Sequence, residues 1–356
     1  MTETPHPLLP ATTPVLRLDA ELLQVGGVAG GAGLRVSPAG ADVAALLRRL
    51  DGRRSQRAVR SDAVAGGLPA EHVDDLLGAL RGAGLLHDLA AADLLATDPG
   101  PAAAARAEAE LPAAVPGTSA AGRWRARRQS AVLVDGATRV GTPLAAVLAA
   151  SGVGRVSVRD RGSTRAADAI VGGVAASDEG RPRSLAAADA VRRASPLTDL
   201  RPLGPEEVPD LVVLCRPWAA VDPLSVAWQR AGTPHLVATV REETGVVGPL
   251  VVPGVTSCLR CAEAWRRDDD PAWPRLAAQL AAADPAPSGA TITCLLTALT
   301  AAVQVLAHLD GDEEPATVDA TLELRPPTFL PRLRRWSAHP DCGCAGAARG
   351  GANGER

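Results

Sequence analysis

Residues 131–160, AVLVDGATRVGTPLAAVLAASGVGRVSVRD, carry a change of period that decides the fold of the larger part of the chain. AVLVDG is apolar without alternation, as a strand covered on both faces would be. Gly136 and Gly141 bracket a turn, TPLAAVLAAS has helical spacing, and GRVSVRD is a second strand ending in the acid Asp160. Strand, turn, helix and strand in about thirty residues make a βαβ unit, the building block of a parallel sheet.

Further along, DLVVLC (210–215) and PHLVATV (234–240) supply more strands, with DPLSVAWQRAG (222–232) as the crossover helix between them. An α/β fold of Rossmann type follows, with Asp160 at the strand end where such folds contact a ribose. The glycine signal taken alone is weak, because the middle glycine of a GxGxxG pattern is Thr138, a side chain where a phosphate needs bare backbone. A doubly wound sheet with no bound nucleotide answers the same pattern.

Two tight cysteine pairs lie outside this unit. Cys258 and Cys261 form CxxC, and Cys342 and Cys344 form CxC near the C-terminus; together they are four of the six cysteines. Two such knuckles complete the four thiolates of a structural zinc site, and four thiolates leave no position open for catalysis. His339 is a competing ligand, and independent buried or redox thiols are the other reading. Cys215 ends an apolar strand and Cys294 lies in an apolar helical stretch, so both are expected in the core.

Before residue 131 the chain changes character. PVLRL, LLQVG and GLRVS (14–18, 22–26, 33–37) read as three short strands. Three helices follow in SPAGADVAALLRRLDG, SQRAVRSDAVAGG and PAEHVDDLLGALRGAGLL. The order gives a small winged-helix-like α+β module over residues 1–88. Residues 89–122, rich in Ala, Pro and Gly, read as a linker with at most one short helix, and residues 123–356 form the second domain. The 356-residue length suits two domains.

Composition narrows the function classes. The chain is 46% hydrophobic and 2% aromatic, has no tyrosine or lysine, and carries a formal net charge of −3. That charge gives no general reason to bind nucleic acid. Arg48, Arg49, Arg53, Arg54, Arg57 and Arg60 tempt a DNA-binding reading, although a solvated face is the plainer account where arginine carries all the positive charge. No apolar run reaches ~20 uninterrupted residues, so no membrane span is expected. MTETPHPLLPATTP lacks a basic segment followed by an apolar block, so a cytoplasmic location is expected.

The stretches VLVDGATRVGTPLAAVLAASGVGRVSVRD, DEGRPR, PDLVVLC, GPLVVPGVTSCLRC and CGC resemble the ThiF/MoeB/HesA superfamily of ubiquitin-activating-type adenylyltransferases. RRDDDPAWPRLAAQL (266–280) is similar, more specifically, to actinobacterial partner proteins of bacteriocin and azol(in)e-peptide (TOMM) cyclodehydratases. The resemblance implies a ThiF-type domain with a zinc knuckle, preceded by a module that recognises the leader of a ribosomally made precursor peptide. It implies ATP at Gly136, Gly141, Asp160 and Arg183, the last at the lysine position of DxGxxK. It also implies departures: the second acid falls on Gly162, the Asn-x-x-Arg pair on Asp168 and Val171, and the magnesium-binding acids on CRPW (215–218), which has no carboxylate.

Phosphoryl chemistry depends on positioned charge, and these departures remove most of it. The expectation is a scaffold without independent activity, gripping a leader peptide and docking a YcaO-type cyclodehydratase, with a second copy of the chain as a further candidate partner. A peptide strand added beside the third strand, with Leu34, Val36, Val73 and Leu77 as groove walls, is the expected mode. An active adenylyltransferase on a peptide or sulfur-carrier C-terminus is the alternative, and a DNA-touching regulator the third.

Overall fold

The computed structural model describes residues 5–344 except 11, 29, 31–32, 90–119, 197, 205, 217–222, 283–288 and 312. The expected linker thus falls largely outside the described residues, as do Pro217 and Trp218 of CRPW. Chain contacts divide into two compact units, Met1–Ala126 and Arg127–Arg356.

Unit 1 begins with β1 (His6–Leu8), then β2 (Val15–Arg17), β3 (Leu23–Gly26) and β4 (Gly33–Val36). The last three form an antiparallel sheet in the order β2-β3-β4. Helices α1 (Ala41–Arg48), α2 (Gln56–Ala65) and α3 (Ala70–Gly82) follow, and β5 (His87–Leu89) returns to pair with β1. The Ser55 hydroxyl accepts the Ala58 amide at the start of α2, as a cap serine does. Each helix turns a narrow apolar face inward. Val43, Leu46, Leu47, Val59, Leu76, Leu77 and Leu80 meet Leu23, Val25 and Val36 of the sheet in one core.

The chain enters unit 2 through α4 (Ala120–Gln129) and then forms β6 (Ala131–Asp135), α5 (Gly141–Ala150) and β7 (Arg155–Arg159). Two 3₁₀ turns, Ala166–Asp168 and Ala176–Asp178, precede α6 (Arg183–Ala194), β8 (Leu211–Leu214), α7 (Pro223–Arg230) and β9 (His235–Arg241). β10 (Thr244–Val251), α8 (Leu259–Asp269), α9 (Trp273–Ala282), α10 (Thr291–Asp310), β11 (Ala320–Leu324) and β12 (Pro331–Arg335) complete it. The seven strands run in the order β12-β11-β10-β9-β8-β6-β7. β7, β6, β8 and β9 pair in parallel, and the last three strands join antiparallel.

The apolar runs of the parallel strands serve both faces. Val132, Val134, Leu211 and Val213 point toward α5, α6 and α10, while Leu133, Val212 and Leu214 meet Cys258, Leu259 and Cys261 on the other side. That two-sided burial is why these strands lack polar alternation. Helix α10 is 20 residues long and apolar enough to cross a membrane by length and composition. Here it lies against the sheet, with Cys294, Ala298, Ala301, Ala302 and Val305 in the core. Its tolerated threonines, alanines and a glutamine explain why the stretch read as too interrupted for a span.

Candidate functional site

The turn from β6 to α5 is built on two glycines. Gly136 has φ +116°, and a Cβ there would lie 2.8 Å from the Arg216 side chain. A Cβ on Gly141 would lie 2.0 Å from the Gly136 carbonyl oxygen. Both positions therefore demand glycine for the turn itself, whatever the crevice holds.

Thr138, between them, fills the place it interrupts. Its Oγ1 accepts the amides of Gly141 at 3.0 Å and Val140 at 3.3 Å, and donates to the Cys215 carbonyl at 3.2 Å. These amides open α5, and they are the groups that hold phosphate at a helix N-terminus. Arg139 ties the same turn to the start of α10, donating to the Gly289 carbonyl and to Thr291 Oγ1, both at 2.8 Å.

Asp160, the expected ribose acid, is engaged by backbone. Its carboxylate accepts the Ala137 amide at 2.9 Å and the Gly162 amide at 2.8 Å. Arg183 sits in the same crevice, within 3.5 Å of where a Gly162 Cβ would stand, and forms a 3.0 Å ion pair with Asp168. The Arg165 amide also donates to Asp168. Thus the structure brings Gly136, Gly141, Asp160 and Arg183 to one end of the parallel strands, but each polar group is already met from within. Val171, at the expected arginine position, is exposed.

Two buried acids of this unit escaped sequence reasoning. Asp135, buried at the end of β6, accepts Arg159 at 3.1 Å and Arg216 at 2.8 Å. The signal was the acid closing an otherwise apolar strand. Asp178, in the DEGRPR stretch, has its carboxyl held below the ordinary range by the Ala175 amide first and by Arg181 next. It serves the loop's own geometry.

The four cysteines converge on the opposite face. Sγ separations are 3.8 Å for Cys258 to Cys261, 3.6 Å for Cys258 to Cys342 and 3.2 Å for Cys261 to Cys344. All four sulfurs lie within 4.8 Å of one another. A tetrahedron with ~2.3 Å metal–sulfur bonds has edges of about 3.8 Å, so the set can hold one metal ion and is compatible with a zinc knuckle. His339 is not among the donors. Its Nε2 faces Asp268 at 2.8 Å, and its Nδ1 accepts the Asp341 amide at 3.1 Å, which leaves no lone pair for a metal. The imidazole instead packs edge-on to Trp265, 4.6 Å between centroids. Cys215 and Cys294 are core residues whose thiols are pushed up by burial.

In unit 1 the candidate peptide groove needs correction. Val36, Val73 and Leu77 are 7%, 0% and 0% exposed and belong to the module's own core, so they wall no groove. Sequence periodicity marks an apolar face without saying what covers it, and here the three helices do. Leu34, half-buried on β4, remains at the sheet edge. Of the arginines that suggested DNA contact, Arg54 pairs with Asp62 and Arg60 with Asp74.

Comparisons agree with this architecture. No curated protein matches the chain. The structure of E. coli MccB with ATP covers 96% of this chain and 99% of that one, with 15% identity and TM-score 0.60. The microcin C7 biosynthetic enzyme MccB in complex with N-formylated MccA has 15% identity and TM-score 0.62 over the same shares. PaaA has 16% identity and TM-score 0.61 over 91% of this chain and 98% of its own. At these identities the likeness concerns the fold. The ThiF family model matches residues 113–345, the span that carries the glycine turn, the crevice and both cysteine pairs, and the chain belongs to the ThiF family.

Proposed function

We propose that this protein is a peptide-binding scaffold whose ThiF-type domain no longer performs ATP chemistry. Its N-terminal module holds the leader of a ribosomally made precursor peptide, and the larger domain presents that precursor to a YcaO-type cyclodehydratase. The observation that carries the reading is the self-satisfied crevice. Thr138 caps the amides a phosphate would use, Asp160 is held by two amides, and Arg183 is paired with Asp168. ATP would have to break these contacts and would find no carboxylate pair for magnesium at the expected positions.

The peptide half of the reading is supported by β4, the outer strand of the small sheet, which has one pairing edge open among the described residues. Such an edge accepts an extended chain through main-chain hydrogen bonds. MccB, similar in fold over 99% of its length, is seen with N-formylated MccA. The cysteine set is assigned to one structural zinc, which ties residues 339–344 to the start of α8.

Calorimetry with the full chain and the leader of a precursor encoded beside its gene is expected to give a micromolar Kd, about −8 kcal/mol. Peptide-dependent exchange of pyrophosphate into ATP should not exceed that of a Gly141→Trp variant. Exchange above that background would establish an adenylyltransferase instead. Strongly salt-dependent binding to duplex DNA, without leader binding, would establish the regulatory alternative.

A further inference from the structure

The second edge of interest lies in the large sheet, far along the sequence from the crevice turn. β12 is the terminal strand, paired with β11 only, and all five of its residues are exposed. Its sequence, Pro-Arg-Leu-Arg-Arg, puts three arginines and no acid on a sheet margin. The register sets Arg332 opposite Glu323, Leu333 opposite Leu322 and Arg334 opposite Thr321. Side chains alternate, so Arg332 and Arg334 share one face and Leu333 lies on the other.

These arginines lack close counter-charges. Glu323, across from Arg332, takes its 2.6 Å ion pair from Arg325. Among the described residues, the one ion pair of the three strand arginines is the 3.9 Å contact of Arg334 with the exposed Asp269. Elsewhere in this chain an acid at 2.6–3.1 Å is common for arginine, as at Arg127, Arg155, Arg183 and Arg216. Arg334 is held in place by stacking 4.3 Å over Trp336, whose ring also carries Arg266 at 5.1 Å. Nearby Arg241 is drawn down to about 10 by burial first and by the charge of Arg266 next, against the opposing carboxylates of Glu263 and Glu323, with Arg334 adding a smaller lowering.

The apolar component is also present. Leu333 is 48% exposed and Leu330, just before the strand, 70%. A second copy of this chain is a poor occupant, because edge-to-edge pairing would set arginine strands against each other, and like charges directly opposite destabilise a ladder. An acidic strand meets the opposite condition on every count.

We propose that the outer edge of β12 receives an extended acidic polypeptide segment as an eighth strand, with acids opposite Arg332 and Arg334 and an apolar residue beside Leu333. The recognition is β-augmentation, in which main-chain hydrogen bonds give affinity and alternate side chains select the partner. It rests on the larger unit alone and is independent of leader binding by the N-terminal module.

The probe is a fluorescein-labelled octapeptide of alternating Glu and Val, titrated against the full chain by fluorescence anisotropy at low and moderate salt. Binding is expected, with Arg332→Glu/Arg334→Glu, both on the same face of β12, weakening it at least about tenfold. Both side chains are exposed, and an unchanged melting temperature shows that the variant folds. N-methylation of one alternate set of peptide residues should abolish binding, while methylation of the other set should spare it, since only one row of N–H groups faces β12. Equal affinity of the two methylated peptides would reduce the contact to charge and overturn the proposal. So would loss of binding on Leu34→Asp with the β12 variant unaffected, which would move the probe to β4 and leave the leader-binding reading standing. Self-association of the chain that disappears in the β12 variant would overturn it in favour of a second copy.

Discussion

Thr138 Oγ1 stands 3.0 Å from the Gly141 amide nitrogen, so the residue that breaks the glycine pattern also occupies the anion site the pattern would create. Thr138→Gly should release these donors. The helix then loses its internal cap at a cost of up to about 1 kcal/mol. In return, millimolar ATP should raise the melting temperature of the variant and leave that of the parent unchanged. An equal shift in both proteins would mean that the threonine cap does not obstruct phosphate.

Arg183 and Asp168 form a largely shielded pair, with side chains 15% and 9% exposed. Asp168→Asn should leave a charge in the crevice without its counter-ion and lower stability by about 3 kcal/mol. The double variant Asp168→Asn/Arg183→Met should recover most of that loss, because the uncompensated charge is gone. Denaturant midpoints of the two variants measure both effects, and equal destabilisation would assign the cost to packing.

The purified protein should contain one zinc per chain. Cys258→Ser and Cys342→Ser should each lose it and melt earlier, since binding and folding free energy are shared in such sites. His339→Gln separates the structural role from ligation: both ring nitrogens are already engaged, so the metal content should stay near one while stability falls. Loss of zinc in that variant would return His339 to the ligand set.

Burial lowers the imidazole pKa of His235, whose Nδ1 faces the Thr233 carbonyl at 2.9 Å. The unfolded chain then binds the proton more readily than the folded one just below the ordinary value of 6.5. Stability must rise with pH through that window and fall as pH drops below it. His235→Gln should flatten the acid limb of a stability–pH curve below pH 6.5. His87 and His308, also lowered chiefly by burial, should keep a residual slope.

The parts legible in the sequence are those where one physical demand dominates. Residues 131–160 had to be strand, helix and strand, because both faces of the sheet are covered there. The cysteine pairs announced a shared site because their spacing satisfies tetrahedral geometry. The antiparallel end of the sheet was hidden by weaker signals. REETG turns β9 into β10 without an Asn-Gly or Asp-Gly dipeptide, and β12 has no buried face to impose alternation. Helix α4 is concealed by its four arginines, Arg123, Arg125, Arg127 and Arg128, among them Arg127, which reaches Asp310 at 2.6 Å. Val73 and Leu77 were legible as apolar, but whether peptide or core covers them is a tertiary fact. Thr138 and Asp160 were legible as residues of the glycine turn and the second strand end; that both close on the turn itself depends on backbone amides, which leave no trace in residue type.

The separation of the cysteine pairs has a consequence in time. Cys258 and Cys342 are 84 positions apart, although their sulfurs are 3.6 Å apart in the fold. Ribosomes add roughly 5–20 residues per second, so the first pair waits several seconds for the second. During that interval CxxC is an open two-thiol chelate on a nascent chain, exposed to oxidants and to softer metals that two sulfurs can satisfy. The yield of a filled four-sulfur site should therefore depend on how fast the eighty residues between Cys261 and Cys342 are made.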